Sequence, residues 1–228
     1  MDEVSGFGSN NRKWYETVRA KYPNSQPSLG ALRQEITLRN NQSAYEFDFK
    51  KANANSNTEQ LLAVTDAFGA NQLLIGLLVR NKTRQGNAVV QTYPNLEAIA
   101  PAFALSTAIA PSGPALQAVA DLETVYNGIA STRIDSTTIF DGLDTRRFRF
   151  VPQSQIGLFA SQVQSKYTDG LVSIEPQLCF DGARKNLVTV TVPSFAGMAI
   201  EPDNPNFEIA LVCIAYGFRV QGGANLKS

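Results

Sequence analysis

The carboxylates of the chain are the first candidates for chemistry. Asp135, Asp141 and Asp144 cluster around a predicted turn and could supply oxygen ligands to Ca²⁺. However, the sequence has no Asp-x-Asp-x-Asp-Gly run with a distal glutamate, and Asp-Gly is foremost a turn-forming pair. Glu46 and Asp48 could be the acid and base of a glycosidase, but both alternate with aromatic residues, as on the solvated face of a strand. We therefore expect no metal site and no catalytic carboxylate pair.

Histidine is absent from all 228 residues. Its absence removes the commonest general base, the commonest metal ligand, and the Ser-His-Asp and Cys-His nucleophile systems. The sequence also has no GxGxxG run, Walker loop or HExxH pair. We expect a protein that is not an enzyme and binds no cofactor. An enzyme with a carboxylate-only or lysine-based mechanism is the minor alternative.

The charges balance, with 20 basic and 20 acidic residues, so no global field would attract the chain to nucleic acid. One local cluster interleaves arginines with aromatic residues and could stack bases or hold phosphate. It consists of Arg146, Arg147, Phe148, Arg149 and Phe150. A single strand with paired arginines is more often an ion-pair site, and we expect no specific nucleic acid partner.

Cys179 and Cys213 both lie in apolar, strand-like runs and do not have a metal-binding spacing. We expect two buried free thiols, with a disulfide as the minor alternative. The N-terminal residues include no apolar h-region. The longest apolar stretch, 96–111, is interrupted by Glu97 and Pro101 and is shorter than the about 20 residues that span a bilayer. We expect neither a signal peptide nor a transmembrane segment.

The elements that must position these residues begin with a short helix over 11–22, which Pro23 ends. Its apolar side chains recur every three to four positions, at Trp14, Tyr15, Val18 and Tyr22. Its basic residues are Arg12, Lys13, Arg19 and Lys21. A helix of this kind most often packs against its own domain. The alternative is an arm on a membrane surface or a neighbouring subunit, with Arg12, Lys13, Trp14 and Arg19 in contact.

In the first half of the body, period-two alternation begins at residue 32, and the aromatic residues over 45–50 alternate with charged ones. A short helix is expected from Thr58, and another over 116–126. The Ala- and Pro-rich stretch 98–114 is the best candidate for a boundary between two halves. The two continuous apolar strands predicted between these helices are 72–80 and 88–93.

The second half restarts the strand pattern. Its predicted strands are 133–140, 146–151, 170–180, 186–195 and 208–221, with the first turn at Asp141-Gly142. Two short matches connect the halves in the same order, 45–49 with 146–150 and 68–73 with 180–187. They suggest a duplicated fold, although β-sandwiches also reuse the same turn and strand patterns.

This layout of two strand-rich halves, low charge, no histidine and a basic aromatic helix before the first strand extends over 11–22 and 32–221. It resembles the double jelly-roll major capsid proteins of tailless icosahedral bacteriophages with an internal membrane. The flavobacterial Finnlakeviridae group is the nearest candidate. Many such subunits carry long tower loops and are longer than 228 residues, so this chain would be a minimal version.

The resemblance implies a mainly β fold, with two jelly-roll β-barrels side by side, short helices and an N-terminal helical arm. The arm and linker would comprise residues 1–31. The first jelly roll, with its connecting helix, would comprise 32–130, and the second jelly roll 131–228.

The function that the resemblance implies is that of a virion structural protein, the major capsid protein. Homotrimers of pseudo-hexagonal outline would tile an icosahedral shell over an internal membrane, after assembly in the host cytoplasm. Their partners would be neighbouring capsomers, penton or minor capsid proteins, and the lipid membrane through Arg12, Lys13, Trp14 and Arg19. The alternative is a carbohydrate-binding or receptor-binding β-sandwich domain of a virion or secreted protein.

Overall fold

Nine strands and three α-helices are present in the computed structural model, which describes residues 3–50, 58–83, 90–103, 113–151, 170–193 and 198–226. The helices are α1 (Glu3–Lys21), α2 (Leu96–Phe103) and α3 (Gly113–Glu123). The strands are β1 (Ser28–Thr37), β2 (Ala44–Asp48), β3 (Ala67–Asn81), β4 (Val90–Gln91), β5 (Ile129–Ile134), β6 (Thr137–Asp144), β7 (Val172–Asp181), β8 (Asn186–Thr191) and β9 (Phe207–Val220).

The strands form two antiparallel sheets. In the first sheet the order is β1-β9-β3, and β7 and β4 pair with successive parts of the free edge of β3. In the second sheet the order is β2-β8-β5-β6. The chain is therefore mainly β, with the architecture of a β-sandwich.

The strand pairs are nested within one another along the sequence. β5 pairs with β6 as the innermost hairpin, β3 pairs with β7 around it, β2 pairs with β8, and β1 pairs with β9 as the outermost pair. The two ends of the chain therefore meet in the first sheet. This arrangement is that of one long antiparallel ribbon folded into two layers.

The hydrophobic core lies between the two sheets, because alternate residues of each strand point inward. Tyr45, Phe47 and Phe49 are fully buried, as their alternation with charged residues predicts. Phe49 contacts Phe180 of β7, with ring centroids 5.5 Å apart, and so joins the two sheets. Truncating one of these buried rings to alanine removes about 3–5 kcal/mol of stability in proteins generally.

The predicted pair of jelly rolls, 32–130 and 131–228, is not confirmed. The described strands form a single sandwich, and strands from both halves lie in both sheets. The boundary after residue 130 falls inside β5, and the end of the predicted arm, 1–31, already belongs to β1. Hydrophobic periodicity shows which face of a strand is buried but not which strand is its neighbour. The sequence pattern therefore could not distinguish two sandwiches from one.

Most of the long strands occur where the sequence predicts them, including β2, β3, β7, β8 and β9. The predicted helix over 116–126 is α3 together with the 3-10 turn Thr124–Asn127. Of the strand predicted over 88–93, only Val90–Gln91 is a strand. The first two residues of that predicted strand lie outside the described part of the chain.

The helix predicted from Thr58 is wrong. Gln60 exchanges two backbone hydrogen bonds with Arg33 (2.8 and 2.9 Å), and the N–H of Leu62 donates to the carbonyl of Phe49 (2.8 Å). These contacts place the segment along the strand edges of the sandwich. The backbone groups that a helix would satisfy internally are satisfied there instead.

The strand predicted over 146–151 is also wrong. Thr145–Phe148 forms a 3-10 turn, and the carboxylate of Asp144 caps it by accepting a hydrogen bond from the N–H of Arg146 (2.8 Å). Residues 45–48 lie in a strand, whereas the matching residues from 146 onward do not, so the first of the two sequence matches is not a structural repeat.

The hairpin turn between β5 and β6 lies at Asp135 and Ser136, not at Asp141-Gly142. Asp135 has a φ of 53°, and its carboxylate accepts a hydrogen bond from the N–H of Lys185 (3.0 Å). Asp141 and Gly142 instead form a bulge within β6, where two residues face one residue of β5 and Gly142 has a φ of 79°.

A fragment of residues 131–228 should not fold by itself, because in it β9 loses both of its neighbours and β7 loses β3. We expect a narrow ¹H–¹⁵N NMR spectrum without a cooperative thermal transition, whereas the full chain should give a dispersed spectrum and one transition. A dispersed spectrum and cooperative melting of the isolated fragment would show that the second half is a domain of its own.

Candidate functional site

Helix α1 lies on the outer face of the first sheet. Its buried side chains are four residues apart and therefore share one side of the helix. They pack against β3 and β9 in an apolar cluster that is separate from the main core, which we call the helix cluster. The helix cluster consists of Trp14, Val18, Tyr22, Ala67, Phe218 and Val220. The prediction that this helix packs against its own domain is therefore confirmed.

Gly69 of β3 allows the close approach of α1. The indole N–H of Trp14 donates a hydrogen bond to the carbonyl of Gly69 (3.1 Å). A Cβ atom at position 69 would lie 2.6 Å from Cγ2 of Val18 and 2.9 Å from Cζ2 of Trp14. The helix can occupy this position because residue 69 has no side chain.

The four residues of α1 that were predicted to contact a membrane or a neighbouring subunit do not share one environment. Arg12, Lys13 and Arg19 face solvent. Trp14 is only 4% exposed and belongs to the helix cluster, so it is not available to a membrane or a neighbouring subunit while α1 is in place. The expectation for Trp14 is corrected because the first sheet already satisfies both its apolar ring and its N–H.

The solvent-facing side of α1 is basic. Over residues 11–21 it carries four basic residues and one acidic residue, Glu16. Arg12 pairs with Glu16 at 3.2 Å, but both side chains are mostly exposed, and such pairs contribute little to stability. Lys13 and Arg19 form no ion pair with any residue that the structure describes.

Tyr22 closes the helix cluster at the C-terminal end of α1. Burial, with smaller contributions from the nearby Cys179 and Asp181 and an opposing effect of Arg184, raises the pKa of Tyr22 to about 12. The phenol is therefore neutral at any physiological pH, as its apolar surroundings require.

A polar cleft of about 350 Å³ lies between the C-terminal part of α1 and the segment that follows it. The ring of Tyr15 is held edge-on against Phe218, with centroids 5.3 Å apart and planes at 70°. Ser25 is anchored through its N–H to the carbonyl of Tyr22 (3.1 Å). The residues that line the cleft are Tyr15, Arg19, Pro23, Asn24, Ser25 and Gln26.

Sequence reasoning missed most of the cleft. In the sequence, Asn24, Ser25 and Gln26 belong only to the linker within residues 1–31. The available signal was a run of amide and hydroxyl side chains between two prolines, directly after an aromatic and basic helix. Nothing in that pattern shows that the run folds back beside Tyr15.

A second charged cluster lies on the outer face of the first sheet. The buried carboxylate of Glu35 pairs with Arg33 (2.8 Å) and Arg80 (3.1 Å) and accepts a hydrogen bond from the hydroxyl of Thr58 (2.7 Å). Arg80 also pairs with Glu208 of β9 at 3.3 Å. Each carboxylate in this cluster has a partner, so the cluster fastens the segment after residue 57 to the sheet.

Of the three aspartates considered for Ca²⁺, Asp135 and Asp144 are engaged in local structure, and Asp141 is exposed to solvent. Asp135 accepts its hydrogen bond from Lys185 and lies 3.6 Å from Arg184, and Asp144 caps a turn. Among the described residues, no three carboxylate or thiol side chains are grouped closely enough to hold a metal ion. Glu46 is exposed on the outer side of β2, as expected for a solvated strand face.

The arginine and phenylalanine cluster forms an ion pair and part of the core. Arg149 donates two hydrogen bonds to the carboxylate of Glu123 (2.8 and 3.0 Å), which raise the pKa of Arg149. Phe148 is fully buried and cannot stack on a base. Arg146 and Arg147 are exposed.

Both cysteines are free, but the prediction of two buried thiols is confirmed only for Cys213. Cys213 is fully buried in the main core, and this burial raises the pKa of its thiol. Cys179 is half-buried beside the helix cluster.

Comparison with known proteins adds no relative. The chain matches no protein-family model, no curated protein and no solved structure. In the described part of the chain, no helix is both long and apolar enough to cross a membrane. The case for a function therefore rests on the sandwich, the basic side of α1 and the cleft.

The substitution Gly69→Ala should displace α1 while leaving the sandwich folded, because the added methyl group overlaps with Val18 and Trp14. Trp14 is the only tryptophan, so its fluorescence reports on α1 alone. We expect a red-shifted emission and increased quenching by acrylamide, with the far-UV CD of the strands retained.

Gly30→Ala is the matched control, because the nearest atom to its added methyl group is 3.9 Å away. Its fluorescence should equal that of the parent protein. Unchanged Trp14 emission in Gly69→Ala would mean that α1 is not held against β3 in this way.

Proposed function

We propose that the sandwich is a single jelly roll and that the protein is a structural subunit of a viral shell. The observation that carries this proposal is the nested pairing of eight long strands in two sheets, with β4 as a short addition. A jelly roll has eight strands in two sheets, and it occurs in viral capsid subunits, lectin domains and cupins.

Composition favours the shell subunit among these classes. The formal net charge is zero, so identical copies can pack densely without mutual repulsion. The absence of histidine removes the commonest metal ligand, and this argues against a metal-dependent cupin as the function of the chain. A shell subunit needs no catalytic residues, and we propose that the protein is not an enzyme.

The proposed subunit differs from the one that the sequence resemblance implies. A pseudo-hexagonal trimer needs two jelly rolls per subunit, and the described strands build only one sandwich. We therefore propose a virion shell built of single-sandwich subunits. These subunits would contact one another, and they would also contact distinct vertex proteins or minor capsid proteins. The pseudo-hexagonal outline is not part of this proposal.

The basic side of α1 is the part of the subunit best suited to an internal anionic membrane. Basic side chains near such a surface contribute about 1 kcal/mol each. Arg12, Lys13 and Arg19 are exposed for this contact, whereas Trp14 is not. The binding would therefore be electrostatic and would weaken as salt concentration rises.

A carbohydrate-binding sandwich is the second candidate function. The polar cleft beside α1 is the observation that favours it. The two functions do not exclude each other, because the cleft occupies only one corner of the first sheet.

The purified protein should assemble as its concentration increases. We expect light scattering to give masses well above the 24.7 kDa of one chain, and negative-stain images to show sheets, rings or closed shells. A monodisperse single chain at every concentration and salt condition tested would contradict the shell proposal.

The triple substitution Arg12→Gln, Lys13→Gln and Arg19→Gln should abolish co-sedimentation with vesicles containing anionic phosphatidylserine. Assembly should be retained, because these side chains are not part of any of the three hydrophobic clusters of the described residues.

The matched control removes three exposed positive charges elsewhere, with Arg133→Gln, Arg146→Gln and Arg147→Gln. It should still bind the vesicles. Equal loss of binding in both triple variants would show that total charge, rather than α1, determines membrane attachment.

A further inference from the structure

The cleft at the C-terminal end of α1 contains polar groups that the fold leaves free. We propose that it binds an acidic saccharide, with the carboxylate of the sugar on Arg19 and its hydroxyl groups on Asn24 and Gln26. This inference rests on the second candidate function, carbohydrate binding at the cleft, and specifies its ligand class; it does not depend on assembly of the shell. The volume of about 350 Å³ falls within the range of about 300–1,000 Å³ that is usual for small-molecule sites.

Arg19 is the charged group of the cleft. No described carboxylate lies within ion-pair distance of it, in contrast to Arg12 on the same helix, which pairs with Glu16. A guanidinium presents paired N–H groups that match the two oxygens of a carboxylate. Arg19 can therefore accept such a ligand without breaking an existing ion pair.

Asn24 and Gln26 provide the groups that suit hydroxyls. Each primary amide has both a donor and an acceptor, and a sugar hydroxyl can bond to both. Their side chains form no hydrogen bond with the rest of the described protein. Ser25 lies between them, and its hydroxyl donates only a long hydrogen bond, 3.5 Å, to the carbonyl of Gln221.

Tyr15 gives the cleft an ordered aromatic wall. Its ring is fixed by the edge-on contact with Phe218, which is itself part of the helix cluster. An ordered ring provides an apolar surface for the C–H groups of a sugar at a low cost in conformational entropy. The position of the cleft thus depends on the same packing that holds α1 on the first sheet.

The location of the cleft favours a saccharide over a simple anion. A helix C-terminus presents carbonyl oxygens and carries a partial negative charge, which disfavours an anion placed directly beside it. Sugar hydroxyls can donate hydrogen bonds in that environment. The single carboxylate then needs to contact only Arg19, which lies in the last turn of α1.

The test is a titration of the ¹⁵N-labelled full-length protein with glucuronic acid, followed by ¹H–¹⁵N NMR. We expect shift changes confined to 15–26 and their neighbours. Arg19→Gln should weaken the binding of glucuronic acid by about tenfold or more. Asn24→Ala combined with Gln26→Ala should weaken it similarly. Lys13→Gln removes one charge of the same helix outside the cleft and should leave the affinity unchanged.

Three results would overturn the proposal. One is the absence of shift changes at the cleft with glucuronic acid and with N-acetylneuraminic acid. Another is inorganic phosphate or neutral glucose binding as tightly as glucuronic acid, since the site would then be a simple anion site or would not use the carboxylate. The third is an equal loss of affinity in Arg19→Gln and Lys13→Gln, which would indicate general charge attraction. Each variant must retain the Trp14 emission of the parent protein. If Arg19→Gln changes this emission, Arg19→Lys is measured in its place.

Discussion

The position of β9 between β1 and β3 is the constraint on which the rest of the structure depends. The last strand of the chain pairs with β3 along its whole length, with one β-bulge in β3 between Ala70 and Gln72, and its other edge pairs with β1. Neither neighbour has a complete set of backbone hydrogen bonds without it. The first sheet can therefore form only when both ends of the chain have come together, and most of the stabilising contacts connect residues far apart in sequence.

The two faces of β9 also connect the core to the candidate site. Leu211 and Cys213 point inward and pack in the main core, whereas Phe218 and Val220 point outward and hold α1. Because Phe218 also fixes the ring of Tyr15, the orientation of the cleft wall is set by the same strand. A structural sandwich and a ligand-binding corner thus use opposite sides of one element.

The sequence predicts where the strands and helices lie better than it predicts which strands pair with one another. The alternating aromatics from Tyr45 and the apolar runs of β3, β7 and β9 identify strands, because burial of one or both faces leaves a clear period. The choice of partners, and hence one sandwich instead of two, depends on long-range pairing that no local period encodes. The alternating arginines and phenylalanines after Asp144 predict a strand, but the segment is a 3-10 turn. There a local interaction, the cap by the carboxylate of Asp144, decides the structure against the alternating pattern. In α1 the helix and its basic side were predictable, but the direction of Trp14 was not, because it depends on a glycine at position 69 of another element.

The most direct measurement of the central claim is a set of backbone proton contacts in a deuterated, ¹⁵N-labelled sample. The account predicts cross-strand contacts between β1 and β9, with Arg33 opposite Ile214 and Glu35 opposite Val212, together with contacts between β9 and β3 in the same molecule. A first sheet in which β1 contacts only strands from residues 32–130, and β9 only strands from residues 131–228, would contradict it and restore two separate barrels.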